Sequence, residues 1–126
     1  MLAIKFNLEV RWYPMKTNLP NCEKAYVPKE KLGNYLLSET HAVGRAKARY
    51  FRSIGYTAEN ADDLADALVM IASSEGVCQE ILSDFGTKYV IDGELVTPIG
   101  TAVQIRTVWV IDSRDARPRF VTAYPA

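Results

Sequence analysis

Ala61-Asp-Asp-Leu-Ala-Asp-Ala-Leu-Val-Met-Ile-Ala-Ser-Ser-Glu-Gly-Val-Cys-Gln-Glu-Ile-Leu-Ser83 contains the change of period on which the fold turns. Up to Ala72 the apolar residues Ala61, Leu64, Ala65, Leu68, Ile71 and Ala72 recur at helical spacing. Thr57 and Asn60 compete as caps, Asp62, Asp63 and Asp66 suit the positive N-terminal end of the helix dipole, and Gly76 stops it. From Val77 onward the pattern belongs to strands. Val77–Ser83, Thr87–Glu94, Ala102–Asp112 and Arg119–Tyr124 are separated by short connections carrying Gly or Pro, at Asp84–Gly86, Val96–Gly100 and Ser113–Pro118. Such connections make hairpins, and so predict an antiparallel meander.

Upstream, two more helices are expected. One starts at Pro28, shows Leu32, Tyr35 and Leu36 on its apolar face and runs to about Ser38. The next follows Thr40 or His41, places Val43, Ala46, Tyr50, Phe51 and Ile54 near one face and ends at Gly55. Helices first and strands second give an α+β domain, with three N-terminal helices packed on a four-stranded antiparallel meander. Before them, Leu2, Ile4, Phe6, Leu8, Val10 and Trp12 alternate with mostly polar residues, and Pro14 closes this extra N-terminal strand. Met15 would serve as a start for the domain proper, which divides the chain into an accessory strand, 1–14, and a single domain, 15–126. A strand with one apolar face needs a sheet edge or a second subunit to cover it, and homodimerisation through Leu2–Trp12 is the expectation.

Composition is that of an ordinary soluble domain: 126 residues, 48% hydrophobic and 24% charged. No apolar run approaches the length of a membrane span, and the first residues lack the continuous apolar stretch of a signal peptide. Cys22 and Cys78 with one histidine make a poor metal set, and a reducing cytoplasm is the simplest location. The formal net charge is zero, which by itself argues against nucleic acid. Its distribution is uneven. Residues 1–56 hold ten Lys/Arg and four Asp/Glu, a net of +6, whereas residues 57–126 hold five and eleven, a net of −6. Between Thr40 and Ala58 stand Arg45, Lys47, Arg49 and Arg52, with no acid among them. This excess suits an anionic, phosphate-bearing ligand, or equally a pairing with the acidic third helix.

Lys47 is the sharpest clue. At about 100° per residue it falls inside the apolar stripe, between Val43, Phe51 and Ile54, while Arg45, Arg49 and Arg52 take the outer side. An ammonium there must be bridged, must snorkel to water or must line a cleft. In the third strand of the meander, Val103, Ile105, Thr107, Trp109 and Ile111 share a face, with Gln104, Arg106, Val108 and Val110 opposite. Simple alternation puts Phe120, Thr122 and Tyr124 together in the last strand. If both faces turn to the helices, Thr107, Thr122 and Tyr124 meet Lys47 and His41 in a polar pocket. The plain alternative is that the threonines bond only to backbone and that His41 is a cap or a surface residue.

Leu19-Pro-Asn, Tyr35-Leu-Leu, His41-x-x-Gly-x-x-Lys-Ala-x-x-Phe51, Gly55-Tyr-Thr57, Tyr89-Val, Arg106-Thr-Val-Trp109 and Val121-Thr-Ala-Tyr-Pro125 together resemble a family of small bacterial domains. These occur alone, beside small partner genes or at the C-terminal ends of secreted polymorphic toxins. The resemblance covers about residues 17–125. Its layout is similar to the barnase–EndoU–colicin–RelE group of ribonuclease toxins, an analogy of fold. The analogy implies metal-independent RNA cleavage with no cofactor, in which a base activates a ribose 2′-hydroxyl to attack the adjacent phosphate. On that reading His41 transfers protons, Lys47 holds phosphate, Thr107 and Thr122 donate hydrogen bonds to it, and Tyr124 or Lys47 covers the second proton transfer. Arg45, Arg49 and Arg106 contribute charge towards RNA, and Trp109 or Tyr124 stacks a base. Arg106 ranks below the threonines because alternation puts it on the opposite face. The RNA, tRNA and mRNA both being open, would be one partner and a cognate antitoxin another. Two rivals stand beside the toxin reading: a non-catalytic antitoxin or immunity partner, and a structural dimerisation domain.

Overall fold

The structure is a computed structural model and describes residues 9–33 and 45–126. The expectations for Leu2–Leu8, for the later part of the first helix and for His41 lie outside the described residues. Five strands form one antiparallel sheet in sequence order: β1 Glu9–Thr17, β2 Val77–Ser83, β3 Gly86–Val96, β4 Ala102–Asp112 and β5 Asp115–Pro125. Among the described residues three helices accompany it: α1 Lys29–Lys31, α2 Arg45–Ser53 and α3 Ala61–Ser74, with single 3₁₀ turns at Cys22–Lys24 and Ala58–Asn60. The α+β class is as expected, but the sheet has five strands, because β1 pairs with β2 along Glu9↔Leu82 to Trp12↔Gln79.

Pro14 does not end that first strand. The register shifts between Trp12 and Thr17, and β1 then rejoins β2 at Thr17↔Val77. A proline lacks the N–H that a ladder needs, and an irregular stretch of an edge strand is where it can be accommodated. The other edge, β5, is partly covered by the segment after the first 3₁₀ turn. There Tyr26 N–H donates to the Pro118 carbonyl and Phe120 N–H to the Tyr26 carbonyl, both at 3.0 Å.

Helix α2 ends as its glycine predicts. Gly55 has φ 106°, its N–H donates to the Arg52 carbonyl, and the Tyr56 N–H reaches back to the Phe51 carbonyl at 2.9 Å. This is a Schellman closure, and the Phe51 and Tyr56 rings make its accompanying apolar contact with centroids 6.4 Å apart. The two candidate caps close the 3₁₀ turn that leads into α3, and Asn60 makes no side-chain cap bond to α3 itself. The Thr57 hydroxyl accepts from Glu59 N–H, while the Asn60 carboxamide accepts from Thr57 N–H at 2.7 Å and donates to the Gly55 carbonyl at 2.9 Å.

The core lies between the helices and one face of the sheet. Phe51 of α2 and Leu64, Leu68 and Ile71 of α3 cluster with Ile91, Leu95, Ile105, Trp109, Phe120 and Ala123 of the strands. Helix α3 approaches β3 so closely at Gly93 that an added Cβ would stand 2.8 Å from Ile71 Cγ2 and 3.1 Å from Glu75 Cγ. Gly93→Ala should therefore lower stability by about 1–3 kcal/mol, the range for overpacking a filled site. Chemical denaturation checks this, and an unchanged midpoint would contradict the close approach.

The β4–β5 turn carries its own charge lock. Asp112 Oδ1 accepts from the Arg114 and Asp115 N–H groups, and the Asp115 carboxylate pairs with Arg117 at 2.9 Å. The hydrogen bonds from Arg117 hold the Asp115 carboxyl down from 3.8 to about 2. Because the folded-state value is depressed, this pair supports the turn fully above the ordinary carboxylate range, and that support fades as pH falls towards 2. An NMR pH titration should show the Asp115 value rising in Arg117→Ala, with the backbone N–H of residue 117 still holding it partly down; no change would refute the side-chain pairing.

Candidate active site on the outer face of the sheet

One irregularity rearranges the expected site. Along β4 and β5 the register runs Ile105↔Pro125, Arg106↔Tyr124, Thr107↔Ala123 and Val108↔Thr122, then shifts to Trp109↔Phe120. Val121 is the extra residue of this bulge, and a bulge reverses which face the following side chains take. Phe120 therefore joins Trp109 in the core, their rings edge to face with centroids 5.4 Å apart. Beyond the bulge, Ala123 is buried beside Thr107, while Thr122 and Tyr124 emerge on the outer face with Val108 and Arg106. The alternation that grouped Phe120, Thr122 and Tyr124 fails at this point.

The pocket expected against the helices is accordingly filled. Thr107 is fully buried; its hydroxyl donates to the Ile91 carbonyl at 2.7 Å and accepts the Trp109 indole N–H at 2.8 Å. Both groups satisfy each other inside the core. Thr107 presents no hydroxyl to a ligand and Trp109, also fully buried, presents no ring to a base.

On the outer face a different set comes together. Asp92, Arg106 and Tyr124 are consecutive cross-strand partners on β3, β4 and β5. The Arg106 guanidinium grips Asp92 through two parallel bonds, Nε to Oδ1 and Nη2 to Oδ2, each 2.8 Å. This carboxylate pushes the Arg106 pKa further up against a smaller opposing effect of burial, so the guanidinium stays charged. Its remaining N–H donors are geometrically separate from the pair with Asp92.

The row ends on α2. Lys47 Nζ lies 5.8 Å from the centre of the Tyr124 ring, within cation–π range. Ala48 and Phe51 carry the buried line of α2, and half-buried Lys47 sits beside that line. Its ammonium lies over the Tyr124 ring, and this contact accommodates a lysine beside an apolar line. Arg45 and Arg49 are exposed. Two residues from Lys47 in either direction, they stand about 200° around the helix from it and point away from the row. Thr122 is half-buried, one pleat along β5 from Tyr124.

Lys47, Tyr124, Arg106 and Asp92 thus form a continuous row of two cations, a phenol and a carboxylate, drawn from four elements. Asp92 was not singled out in the sequence; a charged residue following Val90-Ile91 in a strand is its one signal. Among the described residues, no group of three or more His, Cys, Asp and Glu side chains is placed to hold a metal ion. No helix among them is long and apolar enough to cross a membrane.

A small α+β domain with helices on one sheet face and a cationic row on the other is the class defined by this geometry. The chain belongs to the family described as a domain of unknown function, DUF6883, which matches residues 18–126 and leaves β1 outside the match. No curated protein matches its sequence. Among solved structures, a chain of a contact-dependent growth inhibition toxin–immunity protein complex from Klebsiella pneumoniae 342 is similar to it. The TM-score is 0.64 at 16% identity, over 83% of this chain and 96% of that one. At that identity the likeness is one of fold.

Proposed function

We propose that this chain is a toxin-like, metal-independent ribonuclease whose phosphate site is the row Lys47–Tyr124–Arg106. The observation that carries the reading is that Lys47 of α2 lies over the Tyr124 ring and Arg106 of β4 is the cross-strand partner of Tyr124. Two fixed cations beside a phenol can bind a phosphodiester and stabilise the extra negative charge of a pentacoordinate transition state. Asp92 holds Arg106 in one orientation, so little reorganisation accompanies that charge development.

In the proposed reaction His41, whose ordinary pKa suits proton transfer near neutrality, removes the proton of a ribose 2′-hydroxyl. The 2′-oxygen attacks the adjacent phosphorus, the bond to the 5′-oxygen breaks, and the departing oxygen takes a proton from Tyr124 or Lys47. A cyclic phosphate and a free 5′-hydroxyl result. Thr122, on the same face, supplies a hydroxyl to a phosphate oxygen. Arg45 and Arg49, on the outer side of α2, contribute only general attraction to RNA.

The fold likeness to a chain of a two-protein complex supports a cognate protein partner, and an antitoxin or immunity protein that covers the row fits this chemistry. The deciding experiment is induced expression with RNA analysis. Wild type should arrest growth and degrade RNA. A harmless wild type with intact RNA would favour the rival, in which the chain itself is the neutralising partner.

A further inference from the structure

The outer face continues beyond the row. One pleat on lies Gln79–Val90–Val108–Thr122, and the next is Ile81–Lys88–Val110–Arg119. This last row opens into a groove of about 1040 Å³ between the β2–β3 and β4–β5 turns, with Phe85 and Arg114 at its rim. From Lys88 to Asp92 is four residues of strand, about 13 Å. The same sheet face therefore carries cations at both ends, separated by a row in which Val90 is buried and Gln79, Val108 and Thr122 are half-buried.

Phe85 stands at the tip of the β2–β3 hairpin and is 85% exposed. Its turn is tied down: the Ser83 hydroxyl accepts from Phe85 N–H and donates to the Gly86 carbonyl. A large aromatic ring held in water on a fixed turn is available to stack. Asp112 stands 3.8 Å from the Arg114 guanidinium and 3.6 Å from that of Arg119. These separations orient both groups while remaining longer than a good hydrogen bond, so their N–H donors are open to a stronger acceptor. The lining carries three cations, Lys88, Arg114 and Arg119, against two carboxylates, Asp84 and Asp112.

We infer that this groove is a subsite for single-stranded RNA flanking the phosphate held by the Lys47–Arg106 row. Lys88, Arg119 and Arg114 take backbone phosphates, and Phe85 stacks a base. Cations beside an exposed ring are the features by which single strands are bound without sequence readout. The inference rests on the ribonuclease reading, because the row gives the strand its direction across the sheet.

The test is a fluorescence anisotropy titration with an all-2′-O-methyl single-stranded oligoribonucleotide, which lacks the attacking hydroxyl and stays intact. Phe85→Ala should weaken binding roughly five- to a hundredfold, the range for losing one stacked base. Lys88→Ala should reduce the slope of log K against log salt by about 1, as expected for one phosphate contact. Both residues are exposed, and circular dichroism should show both variants folded. A wild type that does not bind, or variants that bind as it does, overturns the subsite. Cleavage of the unmodified oligoribonucleotide is read separately. Binding with this pattern but no cleavage refutes the ribonuclease reading and keeps the subsite.

Discussion

Lys47→Ala and Arg106→Ala should each lower RNA cleavage by about 10²–10³-fold, the usual loss when one preorganised group facing the transition-state charge is removed. Growth arrest on induction should disappear with it. The two positions make separable demands. Lys47 is half-buried over the Tyr124 ring, so its alanine variant loses about 0.5–1 kcal/mol of stability from the cation–π contact and remains folded. Arg106→Lys should be nearly as inactive as Arg106→Ala although charge is kept, because an ammonium cannot form the bidentate bond with Asp92. Single-turnover kinetics on purified protein, with melting curves beside them, tests both. Cleavage at the wild-type rate in folded Lys47→Ala would remove the basis for an active site at this row. His41→Ala should be as severe as Lys47→Ala if the imidazole is the base, since general base catalysis supplies about 10²–10⁴-fold.

The largest effect on stability should come from Trp109→Ala, at about 3–5 kcal/mol, the range for truncating a fully buried aromatic side chain. The loss includes its ring contact with Phe120 and the bond from its indole N–H to Thr107. Thr107→Val isolates the polar part. Valine fills nearly the same space but cannot accept the indole N–H, and the unpaired donor should cost about 1–3 kcal/mol. Denaturant unfolding measures both. Cleavage per folded Thr107→Val molecule should match wild type, because the hydroxyl is sealed in the core. A Thr107→Val protein with full stability and lost activity would reverse the assignment and return Thr107 to the site.

The strand pattern of the C-terminal half was legible because period two is set locally. Val77–Ser83 and Ala102–Asp112 run as their alternation and bounding turn residues indicate. Gly55 and the Thr57/Asn60 pair were legible for the same reason: a left-handed φ and an unsatisfied helix end are needs of the local backbone. Lys47 was also visible, as a charge out of phase with its stripe. Pro14 misled because its effect depends on whether the strand is central or at an edge. Only pairing decides that.

The grouping of the candidate residues was less legible than the strands. Tyr124, Thr122 and Arg106 were all candidates, but strict alternation divided them between faces. The bulge at Val121 reunites them, and nothing in Arg119-Phe-Val-Thr-Ala-Tyr124 marks where it falls. Amino-acid order by itself determined the α+β class and the stop of α2 at Gly55, since each follows from periodicity or local backbone preference. Tertiary structure alone decided that Thr107 and Trp109 belong to the core and that Lys47, Tyr124, Arg106 and Asp92 form one row. The physical reason is cross-strand register. One extra residue on β5 turns the later side chains over, and only pairing with β4 fixes its position.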